Sequence, residues 1–305
     1  MSSLSSRSRR PSQPGSSPPW SWSPPCGRTS RYGVASLSWS LDHAGPITRS
    51  VRDAAVVLTA LAGHDPRDPR DPASVDRPDE ESTTGLAVAV QGLRVGVPDN
   101  YVTDDVDPQV AAAVAGAVEV YREAGARIVP VTAPLADRYK AAEWAIMLSE
   151  ASAHHRETMR SHYELYTDDV RAFLEVGETI LAADHIDAHR HRRQIEAAWQ
   201  RVLSEIDVVL APTTPMPAVP ADGLIVEWPG GAGEHATEAH TRLCIPGDLT
   251  GLPATSVPCG STTEGLPIGL QPMGRAFEEA TVLRAAHGVG TATDHVGRPA
   301  PVTAG

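Results

Sequence analysis

The sequence predicts a layered α/β fold, and three observations predict it. A strand–helix–strand pattern occupies residues 93–131, a long helical stretch runs from about 136 to 204, and short apolar strands recur at 207–211, 254–258 and 267–271 before a last helix. At 305 residues, 41% hydrophobic and 21% charged, the chain has the composition of a globular protein that can bury a large core.

Residues 1–26 stand apart from the rest of the chain. They hold ten Ser and six Pro, with Arg7, Arg9, Arg10, Trp20 and Trp22 and no acidic residue. A segment so poor in periodic apolar residues cannot offset its ordering entropy, and a disordered leader is expected there. It has no apolar stretch of the kind a signal peptide carries. The first helix opens at Ser50-Val-Arg-Asp53, with Ser50 as N-cap and Asp53 in the capping-box position. Val51, Ala54, Ala55, Leu58 and Leu61 share one face, and Gly63 is the stop. Residues 64–84, rich in Asp-Pro-Arg, read as a polar surface loop.

Leu93–Val97 is the next strand. Asp107-Pro108 starts a helix by cap and N1 proline, with Val110, Val114, Val118 and Tyr121 on one face and Gly125 at its end. Arg127–Val131 returns as a strand, and such a crossover makes the two strands parallel neighbours. The helical stretch beyond it breaks near Tyr166-Thr167-Asp168 and near Ala183-Asp184. Asp207–Ala211 is a buried strand running into Pro212-Thr-Thr-Pro215. A Gly-rich loop at Gly230–Gly233 precedes Ala254–Pro258 and Pro267–Gln271, and the last helix spans about Glu278–Gly288.

Composition also excludes function classes. The formal net charge of −12 opposes nucleic acid as a partner, because phosphate binding needs clustered Lys and Arg. No run approaches the roughly 20 apolar residues of a membrane helix. Cys26, Cys244 and Cys259 have no CxxC or CxxH spacing, so reduced thiols in a cytoplasmic protein are expected. No GxGxxG or GxxxxGK[ST] stands at the strand–helix turn near Gly96, and no cofactor is expected. His185 and His189 are one helical turn apart, but no HExxH frame surrounds them. Arg156, Arg190, Arg192 and Arg193 crowd them and the His154-His155 pair, so no metal site is expected either.

Two widely separated regions carry a family pattern. Ser40-Leu-Asp-His-Ala-Gly-Pro-Ile-Thr-Arg49, followed by Ser50-Val-Arg-Asp-Ala54, resembles the SLDxxGPxxR-[ST]-V-x-D-A stretch of the amidase signature family. At the other end Asp207–Pro215, Leu249-Thr-Gly-Leu-Pro-Ala254, Ser256-Val-Pro-Cys-Gly260 and Gly265-Leu-Pro-Ile-Gly-Leu-Gln271 are similar to that family's later segments. The resemblance covers residues 27 to about 300. It implies a mixed β-sheet between helical layers, lacking its N-terminal part. It also implies hydrolysis of a small-molecule carboxylic amide by a serine, with a neutral lysine acting through a bridging serine in a cis peptide.

The residues that chemistry requires are not found where the resemblance puts them. The nucleophile should fall near Arg9, Arg10 and Pro11, yet no Gly-Gly-Ser occurs, and the one Gly-Gly is Gly230-Gly231. Lys140, the single lysine, follows rather than precedes that position and reads as a solvated helix residue. The expectation is therefore an amidase-family chain without its triad and inactive alone, its N-terminal residues reading as out-of-frame sequence or else as a true low-complexity leader. Val-Val codons GTG-GTC of the family's GVVGLKP segment, read one base later, would give Trp-Ser, the pair that stands here at Trp20-Ser21. The rival readings are a non-catalytic binding or scaffold protein, or a part completed by an upstream chain. Candidate substrate-binding residues are Asp42, Arg49 and Arg171, with Asp42 and Arg49 also suited to fixing the turn before the first helix. The acidic residue with which glutamine-amidotransferase relatives hold their substrate should lie near Thr241, which favours a general amidase. Apolar surface left bare by a missing lobe is expected to cause self-association.

Overall fold

The computed structural model describes residues 20–23, 28–68, 82–228, 230–231 and 233–295. Nine strands and eight α-helices are found among them: β1 (Trp20–Ser23), β2 (Ile47–Thr48), α1 (Val51–Leu61), β3 (Arg94–Pro98), α2 (Pro108–Glu123), β4 (Arg127–Val131), α3 (Tyr139–Ser161), α4 (Asp168–Thr179), α5 (Ala182–Glu205), β5 (Val208–Pro212), β6 (Ile225–Glu227), β7 (Gly233–His235), α6 (Ala236–Arg242), α7 (Ile245–Thr250), β8 (Ala254–Ser261), β9 (Pro267–Gly274) and α8 (Glu279–Ala292). Seven strands form one sheet in the order β2-β1-β8-β9-β5-β3-β4, and β6 and β7 make a separate ribbon. β3 pairs in parallel with both β4 and β5, while β5, β9, β8, β1 and β2 follow one another antiparallel. The sheet is mixed, as the resemblance implied.

Helices cover both faces of this sheet, and the period-two alternation of the strands shows why. Val208 and Leu210 of β5 pack in one cluster with Leu58 of α1, Val110 and Tyr121 of α2, and Val282 and Leu283 of α8. Val209, between them, enters the opposite cluster with Tyr139 and Ile146 of α3, Ile195 and Trp199 of α5, and Leu249 of α7. All five residues of β5 are buried, so a continuous apolar run here means a central strand.

The caps read from the sequence are in place. Ser50 accepts from the Asp53 amide at 3.1 Å and donates to its carboxylate, and Asp107 accepts from the Gln109 and Val110 amides ahead of Pro108. The helical stretch breaks at residues 162–167 and at Ile180-Leu181, close to the expected points. Two readings are corrected. The backbone of Trp20–Ser23, inside the stretch expected to be a disordered leader, is a strand between β2 and β8. Its Trp-Ser-Trp-Ser alternation matches a strand, and the ladder offered by β8 is a tertiary partner that composition does not reveal. Residues 1–19 and 24–27 lie outside the described residues. The loop from His64 is also less superficial than its polarity suggests. Asp68 is buried and accepts from the Arg31 amide at 2.7 Å.

Two contacts fix the frame. Asp207, ahead of β5, accepts from the Arg94 amide at 2.8 Å and from the Arg94 and Arg275 guanidinium groups at 2.7 and 3.1 Å, tying β3, β5 and the end of β9. On the helical side, Gly177 of α4 lies directly against the backbone of α3. A Cβ there would sit 2.1 Å from the Leu148 carbonyl oxygen, far inside van der Waals contact. Ser152 reinforces the crossing by bonding to the Leu174 carbonyl at 2.6 Å. Gly177→Ala therefore has to push α4 off α3 and should cost about 1–3 kcal/mol in urea unfolding. An unchanged unfolding midpoint would contradict so close an approach.

Candidate functional site

The sheet opens into a cleft where β5 ends. Pro212 closes the strand, and Thr213 follows with its amide still bonded to the Gly269 carbonyl at 2.9 Å. Two adjoining cavities, of about 270 and 240 Å³, share Thr213 and Ser256 as walls. The first continues past Cys244, Asp248, Leu252 and Gln271, the second past Thr214, Pro258 and Gly269. Thr213 Oγ1 and Ser256 Oγ are bonded to each other at 2.7 Å across the boundary. Gly269 is required beside them, since a Cβ would lie 2.7 Å from Thr213 Oγ1 and 2.9 Å from Ser256 Oγ. Gln271 reaches the Leu243 carbonyl from the same strand at 3.3 Å. The result is a groove of hydroxyl and amide groups with apolar walls and one carboxyl, that of Asp248, a lining suited to a small polar molecule.

Acidic groups lie at and behind this groove. Asp248 of α7 lines it, and desolvation raises its carboxyl to about 6 despite the nearby His43 and Arg192. Glu143 of α3 is buried, its Oε2 has no hydrogen-bond partner, and desolvation with the Asp248 charge raises it to about 8. Burial thus favours the protonated form of Glu143. His43, 3.9 Å from Asp248, is lowered by burial, which outweighs the raising effect of Asp248. Burial pushes the Cys244 and Cys259 thiols up to about 12, so neither supplies a thiolate nucleophile.

The three residues nominated from the sequence are not brought together, and none lines the groove. Asp42 fixes its own loop: its carboxylate accepts from Ser36 Oγ at 2.7 Å and from the Ser38 amide at 2.9 Å. Arg49 is exposed just before the N-cap of α1. Arg171 of α4 pairs with Asp168 and lies 4.7 Å over the ring of Tyr163, in the turn ahead of that helix. The groove residues Thr213, Ser256 and Gln271 sit within the very segments that carried the family resemblance. Glu143 gave no signal, because an acidic residue in a helical stretch reads as solvated.

Lys140 is 62% exposed and pairs with Glu238, so it is a surface cation as expected. The histidines divide. His155 bonds Tyr166, whereas His185 and His189 of α5 meet Glu150 of α3, with one ligand-type atom from each of the three within 4.8 Å of the others. Sequence spacing exposed the two histidines but not the glutamate 35 residues earlier that completes the group.

Glu143 should make stability fall as pH rises. Its folded value lies above the ordinary 4.5, so between about 4.5 and 8 the folded chain holds a proton that the unfolded chain has released. His43 acts in the opposite sense below 6.5, which leaves pH 6.5–8 as the informative window. Urea melts should show a loss of stability across that window, and Glu143→Gln should flatten the slope. An equal slope in the variant would remove Glu143 as its cause.

Comparison with known proteins places this arrangement. The Amidase family model matches residues 23–283. An amidase of Pseudomonas putida is 44% identical over 262 residues, covering 86% of this chain and 55% of that protein. A glutamyl-tRNA(Gln) amidotransferase subunit of Acidobacterium capsulatum is 36% identical, covering 87% and 59%. Among solved structures, a crystal structure of an amidase shares 29% identity at a TM-score of 0.78, covering 91% of this chain and 59% of that one. A structure of a vestigial protein complex bearing on the origins of an s-triazine catabolic enzyme shares 28% at 0.82, with the same coverage. The chain thus spans somewhat over half the length of these relatives. With the family model matched along most of its length, this chain belongs to the amidase family.

Proposed function

We propose that this chain is the C-terminal part of a carboxylic-amide hydrolase, that its β5–β8–β9 groove receives a small amide, and that the chain alone does not turn that amide over. The observation carrying the reading is the groove itself. The segments typical of the family converge there as a hydroxyl- and amide-lined slot, with Thr213, Ser256 and Gln271 able to hold a carboxamide by hydrogen bonds. The general amidase, rather than the amidotransferase component, is favoured by the higher identity of the P. putida relative.

Inactivity of the chain rests on its own residues. A Ser–Lys mechanism needs a neutral lysine shielded from water, and the single lysine is exposed and paired with Glu238. The groove serine bonds Thr213 Oγ1 and the neutral thiol of Cys244 faces the Thr213 carbonyl, and neither of those partners is a base that could activate a nucleophile. Ammonia release from a panel of aliphatic and aryl amides should stay at the buffer rate with this chain. Turnover by the purified chain, abolished by a serine-directed reagent, would overturn the proposal.

A specific observation favours completion by a further polypeptide. Tyr32, Val34, Leu37, Trp39 and Ile47 are each half exposed or more, and all fall in the segment around β2 that leads to α1. Large apolar side chains gathered on one segment mark a surface that gains from being covered. Supplying the N-terminal part of the P. putida amidase in trans should yield amide turnover if this surface seats it, and no gain at saturating fragment would count against completion. Uncovered, the same surface should make the chain self-associate. Sedimentation velocity at tens of micromolar should show concentration-dependent species, and a single monomeric boundary would refute that expectation.

A further inference from the structure

We propose that Glu150, His185 and His189 form a divalent metal site, suited to Zn²⁺, which ties α3, α5 and the loop before β2 together. His185 and His189 are one turn apart on α5, so both rings project from the same side of that helix, and their centroids are 4.6 Å apart. Glu150 comes from α3, and its Oε1 is 4.0 Å from His189 Nε2. One ligand-type atom from each residue lies within 4.8 Å of the other two. Ligands about 2.0–2.1 Å from a tetrahedral zinc stand roughly 3.4 Å apart, so these side chains have only about an ångström to close. Two imidazoles and a carboxylate are a donor set that zinc takes, leaving a fourth position for water.

The surroundings are arranged as a metal site requires. Glu150 uses its other oxygen, Oε2, to accept from Ser38 Oγ at 2.5 Å and from the Ser40 amide at 2.9 Å, which orients the carboxylate and leaves Oε1 toward the histidines. Ser149 Oγ lies 2.6 Å from the Ala145 carbonyl oxygen and 2.7 Å from His185 Nδ1. A proton on Nδ1 directed at this hydroxyl would leave the Nε2 lone pair for an ion. Of the arginines that spoke against a metal on sequence alone, two have partners of their own, although Arg192 and Arg193 still bear on His189. Arg190 pairs with Asp187, while Arg192 bonds the Leu249 carbonyl and pairs with Glu196. A bound ion would join two helices to the Ser38–Ser40 turn, and through the Ser38 amide to the Asp42 carboxylate.

The test uses the full chain with Zn²⁺ and Co²⁺ as probes. Calorimetry should show one Zn²⁺ per chain, and Co²⁺ should give the intense visible bands of a tetrahedral ion without the near-ultraviolet charge-transfer band of thiolate ligation. His185→Ala and His189→Ala should each weaken binding by at least about 10-fold, and His191→Ala should not. Zn²⁺ should raise the Tm of the native chain and leave that of the His185→Ala/His189→Ala chain unmoved, with far-ultraviolet circular dichroism showing that the variants are folded. Absence of Zn²⁺ binding at hundreds of micromolar would overturn the site. So would binding unchanged in both histidine variants, or a thiolate band in the Co²⁺ spectrum.

Discussion

The carboxylate of Asp207 is the contact on which the sheet depends. It joins Arg94 at the start of β3 to Arg275 just past β9, at the strand where parallel pairing gives way to antiparallel. Burial alone would raise this acid, but its bonds to Arg94 and Arg275 outweigh that and keep it low, hence ionised. Removing Asp207 would leave the Arg94 amide and both guanidinium groups without this shared acceptor. With β5 pinned at this end, its other end has no choice of register, and Thr213 emerges beside Ser256 and Gly269. The groove is therefore a consequence of how the centre of the sheet is anchored.

What the sequence disclosed depends on the range of the interactions involved. Caps and crossovers are local: Ser50, Asp107 and Pro108 act within one helical turn, and the β3–α2–β4 unit closes on itself, so each was legible. β1 was not legible, because a four-residue strand owes its existence to β8, more than 200 residues later. The ribbon of β6 and β7 and the short helices α6 and α7 were missed for a related reason, since none is long enough for a hydrophobic period to declare itself.

The site divides in the same way. Thr213, Ser256 and Gln271 sit in segments whose pattern was visible, although their chemical roles emerge only when β5, β8 and β9 lie side by side. Asp42 and Arg49 belong to an equally visible pattern, and Asp42 there holds the Ser36–Ser38 loop while Arg49 is exposed ahead of α1. A family motif thus marks where the fold tolerates little change, and geometry decides whether the cause is chemistry or architecture. Arg171 illustrates the limit, since its partners are Asp168 of the same helix and the Tyr163 ring in the turn ahead of it.

The helical layer has a further consequence for both acidic groups. Glu143 and Glu150 are seven residues apart on α3, hence on one face and about 10 Å apart along its axis. The first lies beneath the groove near Asp248, and the second meets the histidines of α5. The position of α3 is set on one side by Tyr139 and Ile146 in the core and on the other by the backbone contact at Gly177. A shift of α3 along its axis would move both carboxylates together. The close packing of α4 on α3 therefore does more than fill space: it fixes the height of the buried Glu143 behind the groove and of the oriented Glu150 carboxylate beside two imidazoles.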